Sequence, residues 1–250
     1  MILSAPDAPP PPDLLAGASL FLDFDGTLVE LLADPGLTSV NDHLARLMEE
    51  LALVLEGRVA IISGRPVETI RALFPIPLPV LAGSHGLEIA LPDGVMLAPE
   101  RHGALDRIAS AMRDFISTRP GLLIEEKPFG VALHYRRAAH EEERSHALAN
   151  MLAEETGFHV QTGKMMVELR IGGADKGSAL RRLMEVAPMA GHRPVFIGDD
   201  DTDEPGMAAA ADLGGAAILV GASRPSAAAY RLPDVAATLG WLEAAAGAAR

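Results

Sequence analysis

The feature that most constrains this chain is a pair of aspartates, Asp23 and Asp25, placed directly after a predominantly apolar segment. The segment, residues 18–22, has the length and composition of a buried strand. Side chains that follow a parallel strand lie in the crevice where open α/β sheets bind ligands. Two carboxylates this close repel each other unless a cation or a shared proton lies between them. The simpler alternative is a strand that runs into an Asp-Gly turn, which is a common sequence.

The next two residues favour a ligand site over a simple turn. Gly26 permits a tight turn, and Thr27 offers a hydroxyl that can hold a phosphoryl oxygen. A divalent metal such as Mg2+ is the natural partner of the two carboxylates, because it is a hard ion that takes oxygen ligands. The motif therefore predicts a metal site beside a bound phosphoryl group.

Strand and helix signals alternate through most of the chain, which is typical of a parallel sheet with helices on both faces. The middle of the chain differs, since two helical segments and about four short strands there suggest an α+β insert. Residues 232–246 predict a final helix. We expect an α/β protein in which a Rossmann-like parallel-sheet core carries an inserted α+β domain. The predicted core strands are residues 18–24, 58–62, 78–82, 194–197 and 216–220.

These patterns divide the chain into three parts. Residues 1–16 are expected to form a flexible Pro-rich N-terminal tail. Within it, the consecutive prolines 9–12 favour a short, stiff and exposed segment. Residues 17–97 and 171–250 are expected to form the core. Residues 98–170 are expected to form the insert.

Composition restricts the partners and the compartment. The 250 residues carry a net charge of −13 and have a pI near 5.0, which argues against nonspecific binding to nucleic acid or to an anionic membrane. Cysteine is absent, so disulfides, thiolate catalysis and Cys-zinc sites are excluded. Residues 1–12 lack the features of a signal peptide, and no apolar segment approaches the roughly 18 residues that span a bilayer. We expect a cytoplasmic protein with a small-molecule partner, and we favour a monomer.

Polar groups also follow other predicted core strands. Ser63 comes after the second strand, where a serine by itself would usually be a turn or cap residue. Lys176 begins a predicted helix, an unfavourable place for a cation that a bound phosphate would explain. Residues 199–204 hold five carboxylates in six positions after a short apolar strand. A solvated acidic loop is the alternative, but with Asp23 and Asp25 the segment predicts an oxygen-rich Mg2+ site.

Four of these groups, in this order, resemble the motifs of the haloacid dehalogenase (HAD) superfamily of phosphohydrolases: DFDGTL, Ser63, Lys176 and GDDDTD. The insert resembles the type-two cap domain of that superfamily. Within the superfamily the chain resembles the trehalose-6-phosphate phosphatases, on motifs that span nearly all of it after residue 17. They are Ser63-Gly64-Arg65, Gly83-Ser84-His85-Gly86, Glu125-Glu126-Lys127, His134-Tyr135-Arg136, Gly163-Lys164 with Glu168, and GDDDTDE. The chain departs from the family where Pro205-Gly206-Met207 follows Glu204, which could alter the start of the next helix.

The resemblance implies a mechanism. Asp23 is the implied nucleophile, which forms an aspartyl-phosphate, and Asp25 is the implied acid and base. Ser63 and Lys176 would stabilise the transferred phosphoryl group. The implied Mg2+ ligands are Asp23, the backbone carbonyl of Asp25, Asp199 and Asp200, with Asp203 in support.

The resemblance also implies a set of substrate-binding residues. A disaccharide offers many hydroxyls, and charged side chains form strong hydrogen bonds to them. The alternative for each charged residue of the insert is a solvated surface position. The implied substrate-binding residues are Thr27, Arg65, Gly83, His85, Glu125, Lys127, Arg136, Lys164 and Glu168.

The implied activity is Mg2+-dependent hydrolysis of trehalose 6-phosphate. Another phosphorylated sugar, such as sucrose phosphate or mannosylglycerate phosphate, is a second hypothesis, and a phosphosugar mutase is a related one. A non-catalytic sugar-phosphate-binding domain is a third hypothesis from a different class, because fold alone does not determine function. The presence of Asp23, Asp25, Lys176 and Asp199 argues against it.

Overall fold

The structure is a computed structural model that describes residues 6–32, 35–78, 80–163 and 165–249. The chain divides into two compact units. Met1–Ala98 and Ala174–Arg250 form the core unit, and Pro99–Gly173 form the inserted unit. Within the described residues, no helix has both the length and the apolar character needed to cross a bilayer.

The elements follow one another in a strand–helix order. The strands are β1 (Ala18–Leu22), β2 (Val59–Ile62), β3 (Val80–Gly83), β4 (Glu88–Ala90), β5 (Met96–Leu97), β6 (Leu123–Lys127), β7 (Gly130–His134), β8 (His159–Gly163), β9 (Met166–Arg170), β10 (Arg193–Gly198), β11 (Ala216–Val220) and β12 (Tyr230–Leu232). The helices are α1 (Asp42–Val54), α2 (Val67–Leu73), α3 (Ala104–Ile116), α4 (Glu142–Thr156), α5 (Lys176–Leu183), α6 (Glu204–Asp212) and α7 (Val235–Ala248).

The core unit is built on one sheet in the order β12-β11-β10-β1-β2-β3-β4-β5. The strands from β12 to β3 pair in parallel, and β4 and β5 are antiparallel additions at one edge. This parallel sheet with an inserted α+β unit confirms the predicted fold class.

The sheet is covered on both faces, which explains the predominantly apolar sequence of β1. Leu20 and Leu22 pack in one hydrophobic cluster with side chains of α1 and α7, such as Leu51 and Leu242. Phe21, between them, points to the opposite cluster, which includes side chains of α5 and α6. Successive side chains of a strand alternate between faces, so a strand buried on both faces has no position that faces solvent. The one polar residue of β1, Ser19, is buried, and its hydroxyl donates to the carbonyl of Met189 at 2.9 Å.

Capping residues fix where two of the helices begin. The backbone N–H of Leu44 donates to Oδ1 of Asn41 at 2.9 Å, so Asn41 caps the first turn of α1. Asp175 caps α5, because its carboxylate accepts from the backbone N–H of Ser178 at 2.7 Å and the Ser178 hydroxyl makes a reciprocal contact. Capping of this kind satisfies N–H groups that have no partner within the helix.

The departure at Pro205 does not disturb the helix that contains it. Pro205 lies in the first turn of α6, which begins at Glu204. The first turn tolerates proline because its N–H groups have no intrahelical acceptor. The last helix begins at Val235 rather than at residue 232, because residues 230–232 form the edge strand β12.

Residues 6–15 contact the core unit, which differs from the flexible tail expected for residues 1–16. The backbone N–H of Arg231 donates to the carbonyl of Ala8 at 2.9 Å. The indole N–H of Trp241 donates to the carbonyl of Pro10 at 3.1 Å. Leu14 and Leu15 are buried in the hydrophobic core. Apolar burial and these backbone contacts therefore hold residues 6–15 against the rest of the core unit, where the prolines had suggested an exposed segment.

The inserted unit is a four-stranded antiparallel sheet in the order β6-β7-β9-β8. Val131, Leu133, Val167 and Leu169 form a cluster with Leu105, Ile108, Met112, Ala149 and Leu152 of α3 and α4. The two helices therefore cover one face of this sheet. The other face carries the polar side chains described below.

Candidate active site

The candidate site lies at the carboxyl ends of four adjacent strands of the core unit. Asp23 follows β1, Ser63 follows β2, and Asp199 follows β10. Because β10, β1, β2 and β3 are neighbours and parallel, the residues that follow them meet at one edge. The sequence predicted this convergence from the strand ends alone.

Lys176, the first residue of α5, joins two aspartates of this edge. Its Nζ donates to Oδ1 of Asp23 at 2.6 Å and to Oδ1 of Asp203 at 2.6 Å. All three side chains are buried. Burial disfavours the ammonium, but the charges of Asp203 and Asp23 outweigh this effect and raise the pKa of Lys176. The lysine is therefore a fixed positive charge inside the site.

The same burial acts on the carboxylates. Burial raises the pKa of Asp23 well above its usual value, the charges of Asp203 and Asp199 raise it further, and Lys176 opposes the rise. Burial also raises the pKa of Asp203, again against the effect of Lys176. The buried carboxyl groups of the site, those of Asp23 and Asp203, therefore outnumber the buried ammonium of Lys176.

Asp23, Asp199 and Asp203 form an acidic cluster in which one oxygen of each carboxylate lies within 4.8 Å of the others. The carboxylate of Asp203 is largely committed within the protein, because Oδ2 accepts from the backbone N–H groups of Asp199 and Asp200 at 3.0 and 3.1 Å. Asp203 thereby orients the acidic loop. The three carboxylates together offer oxygen atoms that could hold a cation.

Gly26 allows the two loops of the acidic cluster to approach each other. Its φ is +89°, a conformation that favours glycine. A Cβ atom at this position would overlap the carboxylate of Asp199. The glycine of the DFDGTL motif is therefore required for close packing as well as for the turn.

Asp200, predicted as a metal ligand, has a different contact in the structure. Its Oδ1 accepts from the backbone N–H and the hydroxyl of Thr202 at 2.8 and 2.7 Å. It therefore caps the short 3-10 turn Asp201–Asp203 and is not part of the acidic cluster. Nη2 of Arg224 donates to the backbone carbonyl of Asp200 at 2.9 Å, and Arg224 also pairs with Glu204.

Asp25 and Arg65 form a two-point ion pair. Nε and Nη2 of Arg65 each donate to one oxygen of Asp25 at 2.6 Å. The backbone N–H of Arg65 donates to the hydroxyl oxygen of Ser63 at 3.1 Å. The hydroxyl of Thr27 donates to Oδ2 of Asp23 at 3.4 Å. Ser63 and Thr27 are buried within the group of loops that holds the two motif aspartates.

The loop after β3 is tied to the loop after β2 by backbone contacts. The N–H of Ser84 donates to the carbonyl of Arg65, and the N–H of His85 donates to the carbonyl of Ser63, both at 2.9 Å. Ser84 and His85 have φ values of +49° and +57°, a strained conformation for residues other than glycine. Gly83 is needed here because a Cβ atom would clash with the backbone of residues 65 and 67.

Glu88 holds this strained turn, and sequence analysis did not select it. Its Oε2 accepts from the hydroxyl of Ser84 at 2.8 Å and from the backbone N–H of Val67 at 3.2 Å. Its side chain is buried beside apolar neighbours on β4. A glutamate in a short apolar strand is the signal that could have identified it, since a buried charge requires partners.

The inserted unit presents several of its predicted residues on one sheet face. Nζ of Lys127 donates to Oε2 of Glu168 at 2.7 Å, and Glu125 pairs with His134 at 2.9 Å. In the sheet register Glu125, Ala132 and Glu168 are aligned across three strands, so their side chains share a face.

Arg136 is exposed just beyond β7, and Lys164 lies outside the described residues. The same sheet face includes two residues that were missed, Gln161 and Arg170, which hydrogen-bond to each other at 2.6 Å. Their alternation with apolar neighbours along β8 and β9 was the signal available.

A parallel α/β sheet that gathers an aspartate, a serine, a lysine and an acidic loop at its carboxyl edge defines a phosphohydrolase of the HAD type. A phosphatase of the HAD enzyme superfamily from Bacteroides thetaiotaomicron has this fold with a TM-score of 0.64 at 15% identity, over 90% of this chain and 93% of that one. The family model for trehalose-phosphatase matches residues 21–236. The chain belongs to the trehalose-phosphatase family.

Individual relatives agree with this assignment. The chain is 36% identical over 235 residues to the trehalose-6-phosphate phosphatase of Escherichia coli (strain K12), covering 93% of this chain and 88% of the relative. A crystal structure of a trehalose-6-phosphate phosphatase related protein is 28% identical, with a TM-score of 0.78 over 90% of this chain and 95% of that one. The predicted resemblance is confirmed.

Proposed function

We propose that this protein is a Mg2+-dependent phosphatase that converts trehalose 6-phosphate to trehalose and inorganic phosphate. One observation carries the chemistry: Asp23, the first residue after β1, is buried and held by Lys176 beside Asp199. Membership of the trehalose-phosphatase family supports the substrate.

Asp23 is the proposed nucleophile. Its Oδ1 is bound to Lys176, and its Oδ2 accepts a long contact from the hydroxyl of Thr27 at 3.4 Å. Attack of one carboxylate oxygen on phosphorus releases the sugar oxygen and leaves an aspartyl-phosphate. Lys176 and Ser63 are proposed to neutralise and position the phosphoryl oxygens, since phosphoryl transfer depends mainly on placement and charge.

Asp25 is the proposed acid and base. It would give a proton to the leaving sugar oxygen in the first step and take one from the attacking water in the second. Its side chain is partly open to solvent, as an exchange with water requires.

The acidic cluster fits a hard divalent cation. Three carboxylates face one ammonium among the residues that form it, and oxygen ligands suit Mg2+. We propose Asp23, Asp199 and the backbone carbonyl of Asp25 as its holders, with Asp203 and Asp200 orienting the loop. A bound Mg2+ would supply neutralising charge at the phosphoryl group.

The inserted unit is the proposed cap that recognises the sugar. Its polar sheet face offers paired charged groups that can exchange partners for sugar hydroxyls. A site built for hydroxyls also rejects sugars that leave its polar groups unpaired. The proposed contacts are Glu125, Lys127, Arg136, Lys164 and Glu168 in this unit, with Thr27, Gly83 and His85 in the core unit.

The test is release of inorganic phosphate from trehalose 6-phosphate, sucrose 6-phosphate and glucose 6-phosphate, with Mg2+ or EDTA. We expect strong preference for trehalose 6-phosphate, and loss of release with EDTA and in Asp23→Asn. Metal-dependent release from another sugar phosphate would keep the chemistry and refute the substrate. Transfer of phosphate to sugar instead of water would indicate a mutase. Binding without turnover would favour a non-catalytic sugar-phosphate-binding domain.

The absence of nucleic-acid and membrane partners, the cytoplasmic location and the monomeric state stay predictions from the sequence.

A further inference from the structure

One ion pair joins two loops of the core unit whose residues are 40 positions apart, Arg65 and Asp25. Nε donates to Oδ2 and Nη2 donates to Oδ1, both at 2.6 Å. Two parallel hydrogen bonds between a guanidinium and a carboxylate fix the plane of the carboxylate as well as its distance. A lysine ammonium at the same place would fix the distance alone.

The guanidinium is itself held in place. Nη2 also donates to Oγ1 of Thr38 at 2.8 Å, and Cζ lies 5.6 Å from the ring centroid of Phe24. Phe24 is fully buried and packs against Phe74 with ring centroids 6.0 Å apart. The Arg65 side chain is 14% exposed and that of Asp25 is 27% exposed. The guanidinium of Arg65 is thus held against the buried ring of Phe24, and the carboxylate of Asp25 remains partly exposed to solvent.

The backbone of Arg65 is equally constrained. Its N–H donates to Oγ of Ser63 at 3.1 Å, and its carbonyl accepts from the N–H of Ser84 at 2.9 Å. Both partners belong to the loops that follow the neighbouring strands β2 and β3. Main chain and side chain therefore agree in directing Arg65 at Asp25.

We propose that Arg65 is a positioning residue that sets the carboxyl group of Asp25 for proton transfer, rather than a substrate ligand. This inference rests on the proposed function, since it assigns Arg65 a task within that reaction. In the first step the Asp23–phosphorus bond forms, the bond from phosphorus to the leaving oxygen breaks, and the proton of Asp25 moves to that oxygen. In the second step water attacks phosphorus, the Asp23–phosphorus bond breaks, and the water proton returns to Asp25.

Positioning through Asp25 has a kinetic signature that substrate binding lacks. An ester with a good leaving group needs no proton in the first step, so only the second step depends on Asp25. A variant with a misplaced Asp25 should still release one equivalent of 4-nitrophenolate in a burst and then turn over slowly. With an alcohol or sugar leaving group both steps should be slow.

The experiment compares Arg65→Gln, Asp25→Asn and the double variant in burst kinetics on 4-nitrophenyl phosphate and in steady-state kinetics on phenyl phosphate and trehalose 6-phosphate. We expect each single variant to lower kcat by about 100-fold on trehalose 6-phosphate, the lower end of the range for general acid–base catalysis. The double variant should match Asp25→Asn within about 2-fold, because Arg65 acts through Asp25. The 4-nitrophenolate burst should survive in both single variants.

Two further variants support the comparison. Arg65→Lys keeps the charge over Phe24 and loses the fork, and it should still lower kcat by at least about 10-fold; it replaces Arg65→Gln if that variant does not fold. Arg71→Gln removes an arginine that pairs with Glu68 at 2.9 Å on the exposed face of α2, and its kcat and KM should equal those of the unmodified protein.

The opposite results overturn the proposal. A raised KM with unchanged kcat in Arg65→Gln, or losses that multiply in the double variant, would make Arg65 a substrate ligand. Loss of the burst would also refute positioning through Asp25. If the unmodified protein hydrolyses the aryl esters and no sugar phosphate, the proposed substrate fails while the aryl esters still test the positioning role. Inactivity on every ester would refute both.

Discussion

The buried ammonium of Lys176 should contribute far more to stability than an exposed cation at the same distance from its partner. α5 contains both cases. Lys176 and Asp203 are 2.6 Å apart with side chains 3% and 1% exposed. Arg181 and Asp212 are also 2.6 Å apart, with side chains 47% and 65% exposed. The helix and the N–O distance are matched, whereas burial differs and Lys176 has a second carboxylate partner in Asp23.

Lys176→Met leaves the carboxylates of Asp23 and Asp203 buried without their shared cation. Removing one partner of a buried ion pair costs about 3–5 kcal/mol, whereas Arg181→Met should cost about 0–1 kcal/mol. The assay is urea denaturation at neutral pH in EDTA, so that no divalent cation replaces the lost charge. Equal losses of unfolding free energy in the two variants would refute the reasoning.

The pH dependence of the Lys176→Met deficit follows from the same carboxylates. Burial already holds the pKa of Asp23 and of Asp203 above 3.8 in the folded protein, and loss of the ammonium raises both further. A group whose pKa is raised on folding binds more protons in the folded state, so it favours folding at low pH and loses that contribution as pH rises through its folded pKa. The deficit should therefore shrink as the pH is lowered toward 3.8.

Two other positions give direct tests. Gly26→Ala places a Cβ in the space of the Asp199 carboxylate at a positive φ, so we expect Mg2+ affinity, measured by calorimetry, to fall by about 10-fold or more; unchanged affinity would contradict the role given to this glycine. Glu88→Ala leaves the N–H of Val67 and the hydroxyl of Ser84 without their acceptor, and it should lower the free energy of unfolding by about 1–3 kcal/mol. Glu88→Gln keeps an acceptor oxygen and should lower that free energy less. Equal losses in the two variants would exclude the hydrogen bonds as the cause.

Much of the fold was predictable because the core strands are short, apolar and followed at once by polar residues. That pattern located β1, β2, β10 and β11 and placed Asp23 at a strand end. The strand β12 was missed, because three residues carry too little periodicity to be distinguished from a loop. The departure at Pro205-Gly206 was expected to alter the start of the next helix, but α6 begins at Glu204 and accommodates the proline in its first turn.

The acidic and basic residues of the site were predictable by type, and their pairing was not. Arg65 was predicted as a substrate ligand, whereas its guanidinium is bound to Asp25, 40 residues away. Asp200 was predicted as a metal ligand, whereas its carboxylate caps a turn. In both cases the conformation of a loop determines the hydrogen-bond partner. That conformation depends on how strands β1, β2 and β10 are arranged, and it produces no periodic pattern in the sequence.

The packing of residues near the start of the described chain against α7 gives the protein an intrinsic fluorescence probe. The chain contains one tryptophan, and the indole of Trp241 is bound to the carbonyl of Pro10 in a largely buried position. Nearby, the carbonyl of Ala8 accepts from the backbone N–H of Arg231 in β12. β12 is an edge strand of the sheet, and unpaired backbone groups of an edge strand can pair with other chains. Release of this segment would expose the indole of Trp241 to water and shift its fluorescence emission to longer wavelength. The same release would expose the edge strand β12. The emission wavelength would therefore report exposure of this edge.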